Sequence, residues 1–361
     1  PPSEVGPLRY HSNAPGTTDL AAELPGLTQI EANDILRGKW GSHTVLLPTV
    51  WVRGLISLSV MVNEQADLPS NIIFAGRARF ARGDAPVAIA AVRSDDPESV
   101  RQLRISELLS GTGVAPAVFD TKVYGDTTYV LTESQGMRDL EMLILEHVIT
   151  RKAGASSPAV PVETLLPIMV DLLRSLVTLE RFSVILGDLT ENNIFLLDQD
   201  QRALITDFHS ASLEPGFDPE LGPEALRWEP GSAFHHAPEM EDGIPYRVES
   251  NVWQMGLVFS RMILGGDVPT MLFAGGLDDT TGAGRQRIRD TIRQRFSIEE
   301  VLSLQAMSPE YAGLADILVG MLRPDPNRRW SAGQALQAAE LLAKTLQVEL
   351  PAPRPPQALP E

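Results

Sequence analysis

Residues 185–197 read ILGDLTENNIFLL, and residues 203–210 read ALITDFHS. In the first stretch Asp188 is followed five residues later by Asn193 and then by a short apolar run that is typical of a buried strand. A second apolar run precedes Asp207 and Phe208. Asp and Asn favour turns of every kind, so this pattern gains weight only from the motifs that follow it along the chain.

Three further motifs follow in order: HAPE at 236–239, ESNVWQMG at 249–256 and DPNRRWS at 325–331. In this order the motifs resemble the protein kinase family, over roughly residues 87–345. The resemblance implies an α+β, bilobal protein-kinase-like fold, with a small strand-rich N-lobe, a larger helical C-lobe and an N-terminal extension.

The resemblance also implies roles for single residues. In the family, the first Asp orients the acceptor hydroxyl, and the Asn and the second Asp hold Mg²⁺; the matching positions are Asp188, Asn193 and Asp207. Two interpretations stay open: these remnant catalytic residues bind Mg²⁺ weakly, or they only hold the backbone of the loop in shape. We expect no cofactor, with weak ATP and Mg²⁺ binding as the alternative.

Four positions are expected to be structural. By resemblance, Arg329 forms a buried ion pair with Glu239 of the Ala-Pro-Glu motif, and Asn251 stands where the family has an Asp. Trp253 lies on the same predicted helix as Asn251.

Two groups that handle phosphate in kinases are missing. Residues 58–65 read LSVMVNEQ, without a glycine that would let backbone N–H groups approach phosphate. The third strand reads VAIA at 87–90, so that Ala90 replaces the family's lysine. Arg77, Arg79 or Arg93 could supply charge, although arginine is a planar fork and not a compact ammonium. Strand alternation turns Arg93 away from the face of Ala90 unless a bulge intervenes.

The predicted cofactor-binding positions are Ala90, Glu107 and Glu133. Spacing makes Glu107 the helical partner of the missing lysine, or else a plain surface carboxylate. Gly187 replaces the arginine that would dock an activating phosphate, and residues 208–237 contain serines but no Thr or Tyr. Phosphorylation is therefore not expected to order this segment.

Periodicity divides the chain into an N-terminal extension (1–49) with a short helix at 28–39, a kinase-like N-lobe (50–135), a kinase-like C-lobe (136–346) and a Pro-rich tail (347–361). The predicted strands lie at 52–62, 71–81, 87–92, 117–123 and 128–131. The predicted helices lie at 95–109, 163–181, 249–264, 286–296, 311–321 and 332–344.

Composition limits the function classes. A formal net charge of −17 argues against nucleic acid or an anionic membrane as the main partner. The absence of cysteine excludes disulfides and thiol catalysis. No apolar run is long enough to cross a bilayer and no signal peptide opens the chain, although a processed fragment would look the same.

The missing glycine loop, the sequence GDLT at 187–190 and the N-terminal extension resemble the secreted rhoptry and dense-granule kinases of Toxoplasma and its relatives, in particular the branch without a Gly-loop. This resemblance implies secretion into the parasitophorous vacuole or cyst wall, with secreted parasite proteins as partners. We expect an inactive pseudokinase that acts as a binding or scaffolding module, and not an enzyme. The alternatives are an unorthodox protein Ser/Thr kinase without a Gly-loop, a nucleotide-dependent switch, and a purely structural wall component.

Overall fold

The computed structural model describes residues 27–34, 42–48, 51, 55–61, 72–80, 83–134, 138–150, 158–197, 202–214, 235–241, 247–266 and 312–353, with single positions at 283, 284, 287, 290, 297 and 298. These residues fall into two compact units. The first contains 27–111 and 116–134, and the second contains 112–115 and the described residues from 138 onward. The helix predicted at 286–296 lies outside the described residues, apart from single positions.

The first unit is built on one sheet, in which seven strands pair within the described residues. They are β1 (Leu27–Asp34), β2 (Ser42–Pro48), β3 (Leu55–Met61), β4 (Ile72–Phe80), β5 (Gly83–Arg93), β6 (Val118–Tyr124) and β7 (Thr127–Glu133). Their order across the sheet is β2-β1-β3-β4-β5-β7-β6. The five strands predicted from periodicity are present here as β3 to β7, with shifted ends.

The helix predicted at 28–39 is wrong, because residues 27–34 form β1. β1 pairs with β2 in an antiparallel hairpin and with β3 in parallel, through Asn33 opposite Ser59. In this stretch Thr28, Ile30 and Ala32 alternate with Gln29, Glu31 and Asn33 at the period of two that suits a strand. Pairing on both sides overrides the weak helical spacing, because a strand here satisfies its backbone groups with two neighbours.

The indole of Trp51 joins the chain ahead of β3 to the far edge strand β6. Its Nε1 donates to Asp120 Oδ2 at 2.7 Å, and Lys122 Nζ lies 2.8 Å from Asp120 Oδ1. Burial acts to raise the pKa of Asp120, but the hydrogen bonds from Lys122 and Trp51 outweigh it and hold that pKa below its ordinary value. Since Trp51 follows β2 at one edge of the sheet and Asp120 lies at the other, the sheet curls back towards itself.

Helix α1 (Pro97–Leu109) begins where the acidic run 95–98 predicted a helix start. The side chain of Asp96 accepts hydrogen bonds from the backbone N–H of Ser99 at 3.0 Å and from its hydroxyl at 2.6 Å, and Pro97 occupies the first turn. Asp96, the residue before α1, therefore caps the helix.

α1 also packs on the sheet. Its Leu103 contacts a buried apolar cluster formed by Val92, Val118 and Val130.

The second unit is mainly helical within the described ranges. Its helices are α2 (Leu140–Thr150), α3 (Val162–Arg181), α4 (Val248–Leu264), α5 (Ala312–Met321) and α6 (Ala332–Leu346). α3 to α6 confirm four predicted helices, whereas α2 was not given bounds by the sequence. Four short strands accompany them: β8 (Val184–Ile185), β9 (Ile194–Leu197), β10 (Arg202–Ile205) and β11 (Ser212–Leu213).

α3 and α4 form the buried centre of this unit. α3 buries thirteen of its residues and α4 buries fourteen, in line with their near-continuous apolar sequences. α6 begins with a capping box in which the Ser331 hydroxyl accepts from Gln334 N at 3.2 Å and the Gln334 side chain accepts from Ser331 N at 3.0 Å. Among the described residues, no helix is long and apolar enough to span a bilayer. The fold is the α+β, bilobal kinase-like one.

Candidate active site

The loop that carries Asp188 runs from β8 to β9 in the second unit. Gly187 has a φ of 76°, a left-handed conformation that costs glycine nothing and most other residues about 1 kcal/mol or more. A single 3-10 turn, Glu191–Asn193, then leads into β9. Glycine at 187 therefore removes a side chain and also relaxes the backbone beside Asp188.

The side chain of Asn193 holds this loop closed. Its Nδ2 donates to the carbonyl oxygen of Asp188 at 3.1 Å, and its own carbonyl accepts from the N–H of Thr206 at 2.9 Å. The second bond ties the loop to the end of β10. Asp188 and Asn193 are thus brought together, next to the residue that precedes Asp207.

Asp207 adopts an unusual backbone conformation for a residue with a side chain. Its φ of 58° and ψ of 71° are left-handed, and its exposed carboxylate accepts from the N–H of His209 at 3.3 Å. Such a conformation is kept only where the surroundings enforce it. The ring of Phe208 is buried, and His209 is exposed. The carboxylate is thus held at the surface of the second unit.

Asn251 fixes β8, which leads into the loop that carries Asp188 and that corresponds by resemblance to the catalytic loop of kinases. On buried α4, its Oδ1 accepts from the N–H of Leu186 and its Nδ2 donates to the carbonyl of Val184, both at 2.8 Å. One turn later, Gln254 Nε2 donates to the carbonyl of Gly187 at 2.8 Å. Asn251 is 1% exposed and Gln254 is fully buried, so water does not compete for these bonds.

The second unit also contains a buried ion pair, between Arg329 and Glu239. Arg329 donates to both carboxylate oxygens of Glu239, and its remaining N–H groups reach the carbonyls of Glu249, Arg323 and Pro324. Its guanidinium carbon lies 5.1 Å from the ring centre of Trp253, a cation–π contact. The ion pair expected from the sequence is present, and Trp253 packs against it.

In the first unit, Ala90 lies in the middle of β5, half-buried, between Ile73 on β4 and Val130 on β7. The pairing of β5 with both neighbours runs without a bulge. Glu107 is exposed on α1 and accepts from the Thr121 hydroxyl on β6 at 3.4 Å, which fits a surface carboxylate. Glu133 ends β7, where its carboxylate accepts from Ala117 N at 3.4 Å.

Arg93 does not lie on the face of β5 that carries Ala90. Its guanidinium is exposed and makes two hydrogen bonds to Asp95, at 2.8 and 2.6 Å. The hydrogen bond from Arg93 holds the pKa of Asp95 below its ordinary value. Arg77 is exposed on β4, and the side chain of Arg79 lies outside the described residues.

The donor set of the second unit fits a magnesium ion. Carboxylate and amide oxygens are the ligands this ion takes from proteins, and Asn193 uses its amide nitrogen for the loop, which leaves its oxygen for a ligand. When bound, Mg²⁺ would be held by Asn193 and Asp207 and would neutralise phosphate charge. At position 90, where the family has its lysine, the alanine side chain carries no polar or charged group.

Sequence reasoning missed two functional neighbours of the loop. Gln254 was not singled out, although its spacing of three from Asn251 places both on one helical face. Glu191 was not singled out either, yet it is 1% exposed and contacts Arg261 and His235. Its signal was a second acidic residue between Asp188 and Asn193.

Comparison with known proteins agrees with this geometry. The family model of the protein kinase domain matches residues 117–339. Homeodomain-interacting protein kinase 4 of mouse and of rat are each 31% identical over 108 residues, which cover 29% of this chain and 17% of each relative. Homeodomain-interacting protein kinase 1 of Caenorhabditis elegans is 29% identical over 108 residues, 12% of its length. The matches thus span only a small part of these relatives.

The family match covers well over half of the chain and includes every motif from Asp188 to Arg329. The same residues build the loop that carries Asp188, the hydrogen bonds from Asn251 and Gln254 on α4 to that loop, and the buried ion pair. The chain belongs to the protein kinase domain family.

Proposed function

We propose that this chain is a catalytically inactive pseudokinase that works as a binding or scaffolding module. The observation that carries this role is Ala90 in an unbroken β5, where the family has the lysine that contacts the phosphates. A one-residue bulge would have brought Arg93 to that face, and the pairing of β5 contains none.

The cations on the strands of the first unit do not offer a replacement among the described side chains. Arg93 and Lys122 are engaged with Asp95 and Asp120, and Arg77 is exposed. The glycine-free stretch 58–65 removes backbone contacts to phosphate as well. Losing one preorganised contact costs on the order of 10²–10³ in rate, and here two contacts are lost.

An unorthodox kinase is the second candidate, and one observation favours it. Asp207 keeps a left-handed backbone, and Asn193 still braces Asp188. Backbone strain of about 1–3 kcal/mol tends to persist where function requires it. A nucleotide-dependent switch, which binds ATP without turnover, would use the same residues.

Location and partners follow from resemblance alone. Similarity to the secreted parasite kinases without a Gly-loop supports a place in the parasitophorous vacuole or cyst wall, with secreted parasite proteins as partners. The curated relatives are named for interaction with homeodomain proteins, and the matched stretch covers 17% or less of each.

Phosphate transfer from γ-labelled ATP tests the proposal. The purified chain, Asp207→Ala and the exposed control Asp316→Ala on α5 are incubated with Mg²⁺ or Mn²⁺ and a general protein substrate. We expect the same background incorporation in all three proteins. Incorporation that Asp207→Ala abolishes and Asp316→Ala retains would instead establish the unorthodox kinase.

A further inference from the structure

A buried carboxylate, Glu191, lies three residues after Asp188 and contacts an arginine and a histidine from two other segments. Its Oε2 is 3.3 Å from Arg261 Nη1 on α4 and 3.5 Å from His235 Nε2. Glu191 is 1% exposed and His235 is 8% exposed. A carboxylate this deep is costly to keep charged without partners, so these contacts are needed for the loop to fold as it does.

The same cluster reaches a fourth segment. Arg261 Nη2 lies 2.6 Å from Glu141 Oε1 at the start of α2. The catalytic loop, α2, α4 and the stretch that leads into the Ala-Pro-Glu motif therefore meet at one charge cluster. Burial acts to raise the pKa of Glu191, but His235 and then Arg261 outweigh it and hold that pKa below its ordinary value.

His235 lies at the end of residues 208–237, which by resemblance form the activation segment of a kinase. Phosphorylation, which orders this segment in many kinases, lacks its usual residues in this sequence. Gly187 stands where the family has the arginine that docks an activating phosphate, and residues 208–237 contain no Thr or Tyr. The described end of the segment, 235–241, is held by side chains of the protein itself. His235 faces Glu191, and Glu239 pairs with Arg329.

We propose that the Glu191–His235 contact is a built-in latch, which fixes the end of the activation segment to the catalytic loop without phosphorylation. The carboxylate of Glu191 supplies the negative charge from inside the loop, and Arg261 holds that carboxylate in place. The described end of the segment, 235–241, is therefore ordered without a modification. The latch is independent of whether the chain transfers phosphate.

Hydrogen–deuterium exchange of the full chain tests the latch in peptides that cover 235–241. In the wild-type protein, treatment with a phosphatase should leave exchange of these peptides unchanged. Glu191→Gln removes the charge with little change in shape and should speed their exchange about tenfold, because a buried charged hydrogen bond is lost. Glu146→Gln is the matched control, since Glu146 is exposed and pairs with Arg138 outside the cluster.

His235 provides a second pair of variants that decides the case if Glu191→Gln does not fold. His235→Leu should open the segment as Glu191→Gln does, whereas His235→Arg sets a permanent cation facing Glu191 and should retain slow exchange. A merely structural imidazole would tolerate leucine better than arginine. Faster exchange of the wild-type segment after phosphatase treatment would overturn the latch, as would exchange in His235→Leu within about twofold of wild type.

Discussion

Arg329 donates to both carboxylate oxygens of Glu239, at 2.6 and 2.9 Å, although 90 residues separate the two along the chain. The side chain of Arg329 is fully buried, and that of Glu239 is 7% exposed. The pair therefore joins the Ala-Pro-Glu motif to the loop before α6 in a place that water does not reach.

Arg329→Leu should lower the free energy of unfolding by about 3–5 kcal/mol, because it leaves the carboxylate of Glu239 buried without its cation. Urea unfolding followed by circular dichroism measures the loss. Arg93→Leu is the control, since it breaks an exposed pair with Asp95 and should cost about 0–1 kcal/mol. Equal losses in the two variants would contradict a structural role for the buried pair.

Asn251→Asp should destabilise the chain by about 1–3 kcal/mol, even though the family has Asp at this position. The change removes the donor to the Val184 carbonyl and sets a carboxylate oxygen against it. Exchange of the β8 amides should rise together with the loss of stability. Asn192→Asp, an exposed change in the loop that carries Asp188, should leave the stability and the exchange of the β8 amides unaltered. An effect as large as that of Asn251→Asp would contradict the role of Asn251 in holding β8.

Two glycines offer a matched test of packing in the second unit. A Cβ on Gly320 would overlap the ring of Trp330, whereas the nearest atom to a Cβ on Gly333 is Ser331 Oγ at 3.8 Å. Gly320→Ala should cost about 1–3 kcal/mol through overpacking, and Gly333→Ala should be neutral or stabilise α6 by up to about 1 kcal/mol. Thermal melting of both variants checks the difference. If Gly320→Ala melted at the wild-type temperature, α5 and Trp330 would not pack as described.

Asp120→Asn should weaken the dependence of stability on acid. The pKa of Asp120 is lowered in the folded chain, so its contribution is present above the ordinary Asp pKa and is lost as pH falls through the folded value. The melting temperature of the wild-type protein should therefore fall more steeply between about pH 5 and pH 3 than that of Asp120→Asn. Parallel curves would mean that Lys122 and Trp51 do not favour the charged carboxylate.

The sequence predicted the kinase-like order of elements because local signals agree with the fold there. The apolar spacing of α3 and the acidic start of α1 were readable from short motifs, and the pair Glu239–Arg329 was expected from the resemblance to kinases. β1 was misassigned because its pairing partners lie up to 26 residues away, from Ser42 to Val60, and a single-segment pattern does not contain them.

Only part of the candidate site could be predicted from the sequence, for a related reason. Motifs located Asp188, Asn193 and Asp207, but not the contacts that position them. Gln254 reaches Gly187 across 67 residues, and His235 reaches Glu191 across 235 − 191 = 44 residues. Such contacts depend on how α4 packs beneath the loop, and no local spacing rule specifies that packing.

Nucleotide binding tests the consequence of Ala90 most directly. Thermal melting of the wild-type chain is measured with and without millimolar ATP or ADP and Mg²⁺ or Mn²⁺, with Ala90→Lys and Asp207→Ala measured alongside. We predict no shift for the wild-type chain, because neither a lysine nor a glycine loop is available to hold phosphate. A rise of several degrees that Asp207→Ala removes would contradict the binding-module account and establish a nucleotide site.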